Sequence, residues 1–145
     1  MVLLPGVSDA LVALHEAGFW LVVVTNQPDV ATGLQTREEV ERMHAWMRQE
    51  LQLDDIRVCC HVDSDGCACR KPRPGMLLEA AESQGLDLAA SFMIGDRWRD
   101  IEAGHAAGCR TIYLANHYDE RRPVNSWATV DSLHDASRLI LSGAL

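Results

Sequence analysis

The sequence predicts an α/β fold with a Rossmann-like, open, mostly parallel sheet and crossover helices, and three observations support this prediction. Apolar segments of strand length alternate with segments of helical periodicity. One segment, residues 19–25, is apolar at nearly every position, which is typical of a strand buried on both faces of a parallel sheet. Polar residues follow three of the segments, at the position where such sheets bind ligands.

The first half of the chain contains two predicted helices and two predicted strands. Residues 7–17 have a helical apolar face, and the strand at residues 19–25 follows them. Thr36 and Glu39 form a capping box that opens the second helix, and a short strand follows at residues 56–60. The apolar stripe of the second helix comprises Val40, Met43, Met47 and Leu51.

The second half continues the alternation and contains no internal repeat. Because helices separate most of the strands, these segments form β-α-β units with parallel strands. The predicted elements are a helix at residues 74–83, a strand at 91–94, a helix from about 99 to 107, strands at 111–114 and 128–130, and a last helix from about Ser132.

Composition limits the classes of protein that fit. A chain of 145 residues with 48% hydrophobic and 23% charged residues suits a single domain, residues 1–145. No apolar run reaches the ~18 residues of a membrane span, and nothing at the amino terminus resembles a signal peptide, so we expect a cytoplasmic monomer. A net charge of −8 argues against nucleic-acid partners but is compatible with a local basic pocket for a phosphorylated small molecule.

Residues 59–69 hold four of the five cysteines and predict a zinc site. Cys59 and His61 form a C-x-H pair, and Cys67 and Cys69 form a C-x-C pair. Three thiolates and one imidazole complete a tetrahedron around Zn²⁺ and leave no open position, which indicates a structural ion. Two disulfides, or a cluster of small buried residues, are the alternatives, and a reducing cytoplasm favours zinc over disulfides.

Three polar clusters follow predicted strands and their loops. They also fit simpler interpretations: Thr25 and Asn26 as a turn, Lys71 as a surface charge, and Asp96 as a helix N-cap. Asp100, one helical turn after Asp96, is either an orienting residue for a metal site or an ordinary helix charge. The clusters are Thr25-Asn26-Gln27, Arg70-Lys71, and Asp96-Arg97 with Asp100.

Taken together, the clusters predict a phosphoryl pocket, because they meet at one edge of the sheet. Thr25 would supply a hydrogen-bond donor and Lys71 a cation for phosphate oxygens. Asp96 would help to hold a Mg²⁺ ion that shields the negative charge of the phosphate.

The order of these motifs resembles the haloacid-dehalogenase-like (HAD) phosphatases. More narrowly, it resembles the zinc-loop branch, which contains heptose 1,7-bisphosphate 7-phosphatases and histidinol-phosphate phosphatases. The resemblance runs from about residue 4 to residue 131. The matching motifs are VVTNQ at 23–27, CxH followed by CxCRKPxPG at 59–75, and GDRxxDxxAG at 95–104.

The resemblance implies a role for each cluster. Thr25 would contact the transferring phosphoryl group, and Lys71 would neutralise its charge. Asp96 would bind Mg²⁺, and the resemblance leaves both interpretations of Asp100 open. The implied substrate-binding residues are Thr25, Asn26, Gln27, Arg70, Lys71 and Arg97, and the implied zinc ligands, which shape the loop carrying Arg70 and Lys71, are Cys59, His61, Cys67 and Cys69.

One departure from the family pattern concerns the nucleophile. The family reaction begins with an Asp-x-Asp motif at the end of a first, central strand, and no Asp-x-Asp precedes Thr25 here. Asp9 fits better as a first-turn helix carboxylate. Residues 4–7 resemble the segment after that strand, so we expect about 25 to 30 residues of the family fold to be absent. Neighbouring strand edges would then be unpaired and open to association with another chain.

These expectations lead to one preferred function and to alternatives. The preferred function is a Mg²⁺-dependent phosphatase acting on a small sugar phosphate, D-glycero-D-manno-heptose 1,7-bisphosphate at its 7-phosphate, with this chain inactive by itself because it lacks the nucleophile. Histidinol-phosphate phosphatase is the first alternative. A non-catalytic zinc protein that binds a phosphorylated ligand is the second, and a zinc module for protein or nucleic-acid contacts fits the acidic composition least well.

Overall fold

The structure of the protein is a computed structural model. The side chains of Thr25, Asn26 and Cys59 lie outside its described part, although their backbones belong to it. The structure describes residues 7–26, 38–39, 41–42, 45–46, 49, 53–59, 71, 73–115, 122–123 and 125–142.

Strands and helices alternate along the chain as predicted. The described residues between 38 and 49 are helical, whereas the apolar stripe predicted for this helix lies outside the described part. None of the described helices is long and apolar enough to cross a membrane. The elements are α1 (Val7–Glu16), β1 (Val22–Asn26), β2 (Asp55–Cys59), α2 (Gly75–Gln84), a 3₁₀ turn (Leu88–Ala90), β3 (Phe92–Gly95), α3 (Trp98–Ala107), β4 (Arg110–Leu114), β5 (Ala128–Val130) and α4 (Leu133–Leu141).

Residues with specific backbone roles set several boundaries. Gly85 and Gly108 end α2 and α3 in the left-handed conformation, with φ of 66° and 89°. The Ser132 hydroxyl accepts a hydrogen bond from the Asp135 amide at 3.1 Å and caps α4. The prediction that β1 begins at Phe19 was wrong, because the strand begins at Val22. Phe19 is apolar because its ring packs edge-to-face on Phe92, with ring centroids 6.0 Å apart.

All described strand pairs are parallel, which confirms the α/β class. β1 pairs with β2, while β3, β4 and β5 form a second set in that order. The described strands therefore form two sets instead of one continuous sheet. β1 and β3 face each other across a cavity of about 530 Å³ that both strands line.

Helices cover both faces of the strands. On one face Leu14 of α1 and Ile140 of α4 pack with Ile112 of β4. On the other face Leu77 of α2 and Ala103 of α3 pack around Met93 of β3. This two-sided cover explains why the strands are apolar at successive positions, and it leaves their carboxyl ends as the exposed edge for polar residues.

Candidate functional site

The carboxyl ends of β1, β2 and β3 gather the backbones of the predicted clusters. β1 ends at Asn26 and β2 at Cys59, and these two residues are partners in the parallel register. The first predicted zinc ligand thus lies beside the predicted substrate-binding strand end. β3 ends at Gly95, so Asp96 is the first residue beyond it.

Lys71 is held at this edge by two acceptors from distant parts of the chain. Its Nζ donates to the Val24 carbonyl of β1 at 3.1 Å and to Asp100 Oδ1 of α3 at 2.5 Å. The Lys71 and Asp100 side chains are only 11% and 10% exposed. The simpler interpretations of Lys71 as a surface charge and Asp100 as an ordinary helix charge are therefore wrong.

The start of α3 places Asp100 against the end of β3. The Arg97 amide donates to Asp100 Oδ2 at 3.2 Å and Arg97 occupies the N-cap position, so the interpretation of Asp96 as the N-cap is wrong. A Cβ atom added at Gly95 would lie 2.6 Å from Asp100 Cγ. Gly95 therefore provides the space that the Asp100 side chain occupies. In the sequence, the only indication of this role is that residue 95 is a glycine.

Asp96 and Arg97 differ in their exposure. Asp96 is half-buried and lines the cavity together with Lys71 and Asp100. Arg97 is exposed, so its side chain lies at the surface beside the cluster.

Arg99 is a further residue at this site, and no sequence motif indicated it. Its Nη1 donates to the Lys71 carbonyl at 3.3 Å, and its guanidinium lies 4.7 Å from the centroid of the Trp98 ring. The first turn of α3 therefore holds Lys71 twice: Asp100 binds its ammonium group and Arg99 binds its backbone.

The charges of this cluster balance without a ligand. Among the described residues this cluster comprises two carboxylates, Asp96 and Asp100, and two cations, Lys71 and Arg99, so these four residues have no excess positive charge to attract a phosphate dianion. Mg²⁺ is commonly held by one or two carboxylates together with water and phosphate oxygens. Asp96 fits that preference as a half-buried carboxylate in the cavity lining, whereas the two Asp100 oxygens already accept hydrogen bonds from Lys71 Nζ and the Arg97 amide. The described residues include no group of three potential metal ligands.

The remaining predicted site residues are not tested by this geometry. The zinc site as a whole lies outside the described residues. The predicted site residues outside the described part are Gln27, His61, Cys67, Cys69 and Arg70, together with the side chains of Thr25, Asn26 and Cys59.

Comparison with known proteins places the chain in a family. A family model described as HAD-hydrolase-like matches residues 68–136, a range that includes Lys71, Asp96 and Asp100. The chain is 35% identical to the D-glycero-beta-D-manno-heptose-1,7-bisphosphate 7-phosphatase of Photorhabdus laumondii, with 93% of this chain and 80% of that protein covered. The chain belongs to the HAD phosphatase family.

Two further members of this family extend the comparison. The protein of the same name from Rhodopseudomonas palustris is 39% identical, with 72% of this chain covered, and the chain spans only 65% of that relative's length. The crystal structure of a D,D-heptose 1,7-bisphosphate phosphatase from B. bronchiseptica, complexed with magnesium and phosphate, superposes with a TM-score of 0.87 at 31% identity. It matches 97% of this chain and 84% of that one.

Proposed function

We propose that this chain carries the phosphate- and magnesium-binding part of a phosphatase. The proposed substrate is a small sugar phosphate, D-glycero-D-manno-heptose 1,7-bisphosphate, which would lose its 7-phosphate. The observation that carries the proposal is the buried Lys71–Asp100 pair beside Asp96 at the carboxyl ends of β1 and β3. Relatives and a solved structure named for this activity support the choice of substrate.

Each described residue of the cluster has a proposed task. Lys71 places a positive charge at the strand ends, where phosphate oxygens would bind, and Asp100 and Arg99 fix its position. Asp96 would hold Mg²⁺, which when bound supplies the positive charge that the balanced cluster lacks. The residues proposed to contact the substrate itself are Thr25, Asn26, Gln27, Arg70 and Arg97.

The proposed reaction requires a nucleophile in addition to this cluster. The first aspartate of an Asp-x-Asp motif would attack phosphorus while the bond from phosphorus to the sugar oxygen breaks, and the second aspartate would protonate that oxygen. The second aspartate would then take a proton from water, which hydrolyses the aspartyl-phosphate. No Asp-x-Asp precedes Thr25 among the 145 residues. We therefore expect the cluster to bind phosphate but not to complete this reaction without an added carboxylate.

A structural zinc ion is also part of the proposal. Cys59, His61, Cys67 and Cys69 would bind it in the cytoplasm, where thiols remain reduced. Metal analysis of the purified chain should find one zinc per chain, and Cys67→Ser should lose it. Cys109→Ser is the matched control, because burial raises the pKa of the Cys109 thiol and keeps it protonated. Equal zinc content in both variants would contradict this ligand set.

Phosphate release tests the proposed activity. The substrates are heptose 1,7-bisphosphate and histidinol phosphate, each with and without Mg²⁺. The proteins are this chain and a form extended upstream of Met1 by a strand that carries Asp-x-Asp. We expect Mg²⁺-dependent release by the extended form only, with the heptose preferred.

Three other outcomes of the phosphate-release experiment would change the proposal. Preference for histidinol phosphate would replace the proposed substrate, and equal turnover by both forms would contradict the proposed nucleophile. Binding without release by either form would favour a non-catalytic phosphate-binding protein.

A further inference from the structure

Lys71 is held at two separate points, its ammonium group and its backbone carbonyl. The ammonium group donates to the Val24 carbonyl and to Asp100, and the carbonyl accepts from Arg99 Nη1 at 3.3 Å. Lys71 lies in a turn and belongs to neither a helix nor a strand. The flexible four-carbon stem of a lysine allows one ammonium position to be reached from several backbone positions. The bond from Arg99 therefore removes a freedom that the ammonium contacts leave.

The direction of the Arg99 side chain depends on Trp98. The two residues are consecutive in the first turn of α3, and both are half-buried. Side chains of consecutive helical residues point about 100° apart and do not face each other. The Arg99 guanidinium nevertheless lies 4.7 Å from the centroid of the Trp98 ring. The arginine side chain therefore bends back over the indole.

The shape of a guanidinium group allows Arg99 to make both contacts at once. Its N–H donors lie in the plane of the group and point outward, whereas its flat face can contact an aromatic ring. Trp98 can therefore hold the guanidinium while Nη1 donates to the Lys71 carbonyl. An ammonium group has no flat face, so a lysine at position 99 would not reproduce this pair of contacts.

We propose that Trp98 is a positioning residue for Lys71 and acts on it through Arg99. The indole ring holds the guanidinium, and the guanidinium holds the Lys71 carbonyl. The lysine then presents its ammonium group at the strand ends from a fixed backbone position. The effect of Trp98 on ligand affinity rests on the proposed phosphate site, whereas its effect on the Lys71 backbone does not.

The sequence supplies a selective probe for this series of contacts. Lys71 is the only lysine among the 145 residues. Protein made with lysine that carries ¹³C at its carbonyl carbon therefore gives a single labelled backbone signal in NMR spectra. A carbonyl carbon that loses a hydrogen bond shifts to lower frequency, so this signal reports the bond from Arg99.

Three variants separate the contacts. Arg99→Met removes the guanidinium and should shift the Lys71 carbonyl signal to lower frequency. Trp98→Leu keeps an apolar side chain but removes the aromatic face, and it should shift the signal in the same direction. Trp98→Phe restores an aromatic ring and should return the signal toward its position in the unchanged protein.

Trp127→Leu is the matched control. Trp127 precedes the amino end of β5 and packs edge-to-face on Phe92, with ring centroids 6.4 Å apart. The substitution removes an aromatic contact at the opposite end of the strands from Lys71, so it should leave the carbonyl signal unchanged. Circular dichroism should confirm that all four variants fold.

The consequence for the ligand is measured separately, by calorimetric titration of inorganic phosphate in the presence of Mg²⁺. The dissociation constant should be about two- to five-fold higher for Trp98→Leu than for the unchanged protein, because a cation–π contact of this kind is lost. Trp98→Phe should recover most of the affinity, and Trp127→Leu should retain all of it.

Each contrary result overturns a defined part of the proposal. An unshifted carbonyl signal in Trp98→Leu, or an equal shift in Trp127→Leu, would overturn the role of Trp98 in holding Lys71. A shifted signal with unchanged phosphate affinity would overturn its role in ligand binding. Absence of phosphate binding by the unchanged protein would instead overturn the proposed phosphate site, and the carbonyl signals would still decide whether Trp98 holds Lys71.

Discussion

Lys71 is the residue whose environment constrains the site most. Its ammonium group is buried between a strand carbonyl and the Asp100 carboxylate, and a buried ion pair stabilises a protein only when both partners are present. Its backbone carbonyl is held separately by Arg99. The position of this lysine is therefore fixed by contacts within the described part of the chain, as the proposed phosphate site requires.

Removal of the Lys71 charge should show how strongly the stability of the protein depends on the Lys71–Asp100 pair. Lys71→Met leaves Asp100 buried without its cation and should lower the free energy of unfolding by about 3 kcal/mol. Adding Asp100→Leu removes the orphaned carboxylate and should restore most of that loss, because the two effects are not additive for residues in contact. Urea denaturation of the two single variants and the double variant measures the coupling.

The control for this cycle is Arg110→Met. Arg110 is exposed at the amino end of β4, so the same loss of charge there should change stability by no more than about 0.5 kcal/mol. Additive effects of Lys71→Met and Asp100→Leu would contradict the buried pair.

At the scale of elements, α3 connects the site to the core. Its first turn holds Lys71, and its middle packs closely on β3 and β4. A Cβ atom added at Gly104 would overlap the Met93 side chain and lie 3.0 Å from Thr111 Cγ2. The close approach of helix and strands is what brings Asp100 to the end of β3.

Enlarging Gly104 should therefore separate the helix from the strands. Gly104→Val inserts three carbon atoms into a filled contact and should cost about 2–3 kcal/mol of stability, measured by urea denaturation. Ala106→Val is the matched control on the exposed side of α3, where only the lower helix propensity of valine, about 0.6 kcal/mol, should appear. Similar costs at both positions would show that Gly104 is not a packing contact.

At the scale of the whole molecule, two sets of parallel strands share one carboxyl edge and one cavity. β1 is apolar at Val22, Val23 and Val24, yet these residues are only half-buried. Their exposure follows from the gap beside β1. Lys71 and Asp96 line this cavity at the carboxyl ends of β1 and β3.

The sequence was sufficient to predict the class of fold and to predict that Lys71, Asp96 and Asp100 lie at one edge of the strands, where the structure brings them together. Both rest on local signals: apolar runs mark the strands, and polar residues follow their ends. The pairing of Lys71 with Asp100 had no such signal, because the two residues are 29 positions apart and no periodicity links them. The same holds for the Arg99 bond to the Lys71 carbonyl and for the space that Gly95 leaves, which depend on how α3 docks on β3.

We propose that Lys71 and Asp96 form a Mg²⁺-dependent phosphate site. The most direct measurement is calorimetric titration of inorganic phosphate into this chain with and without Mg²⁺, repeated for Asp96→Asn and for Arg110→Met. We expect saturable binding that requires Mg²⁺, is lost in Asp96→Asn and is retained in Arg110→Met. Binding that is independent of Mg²⁺, or unchanged by Asp96→Asn, would contradict it.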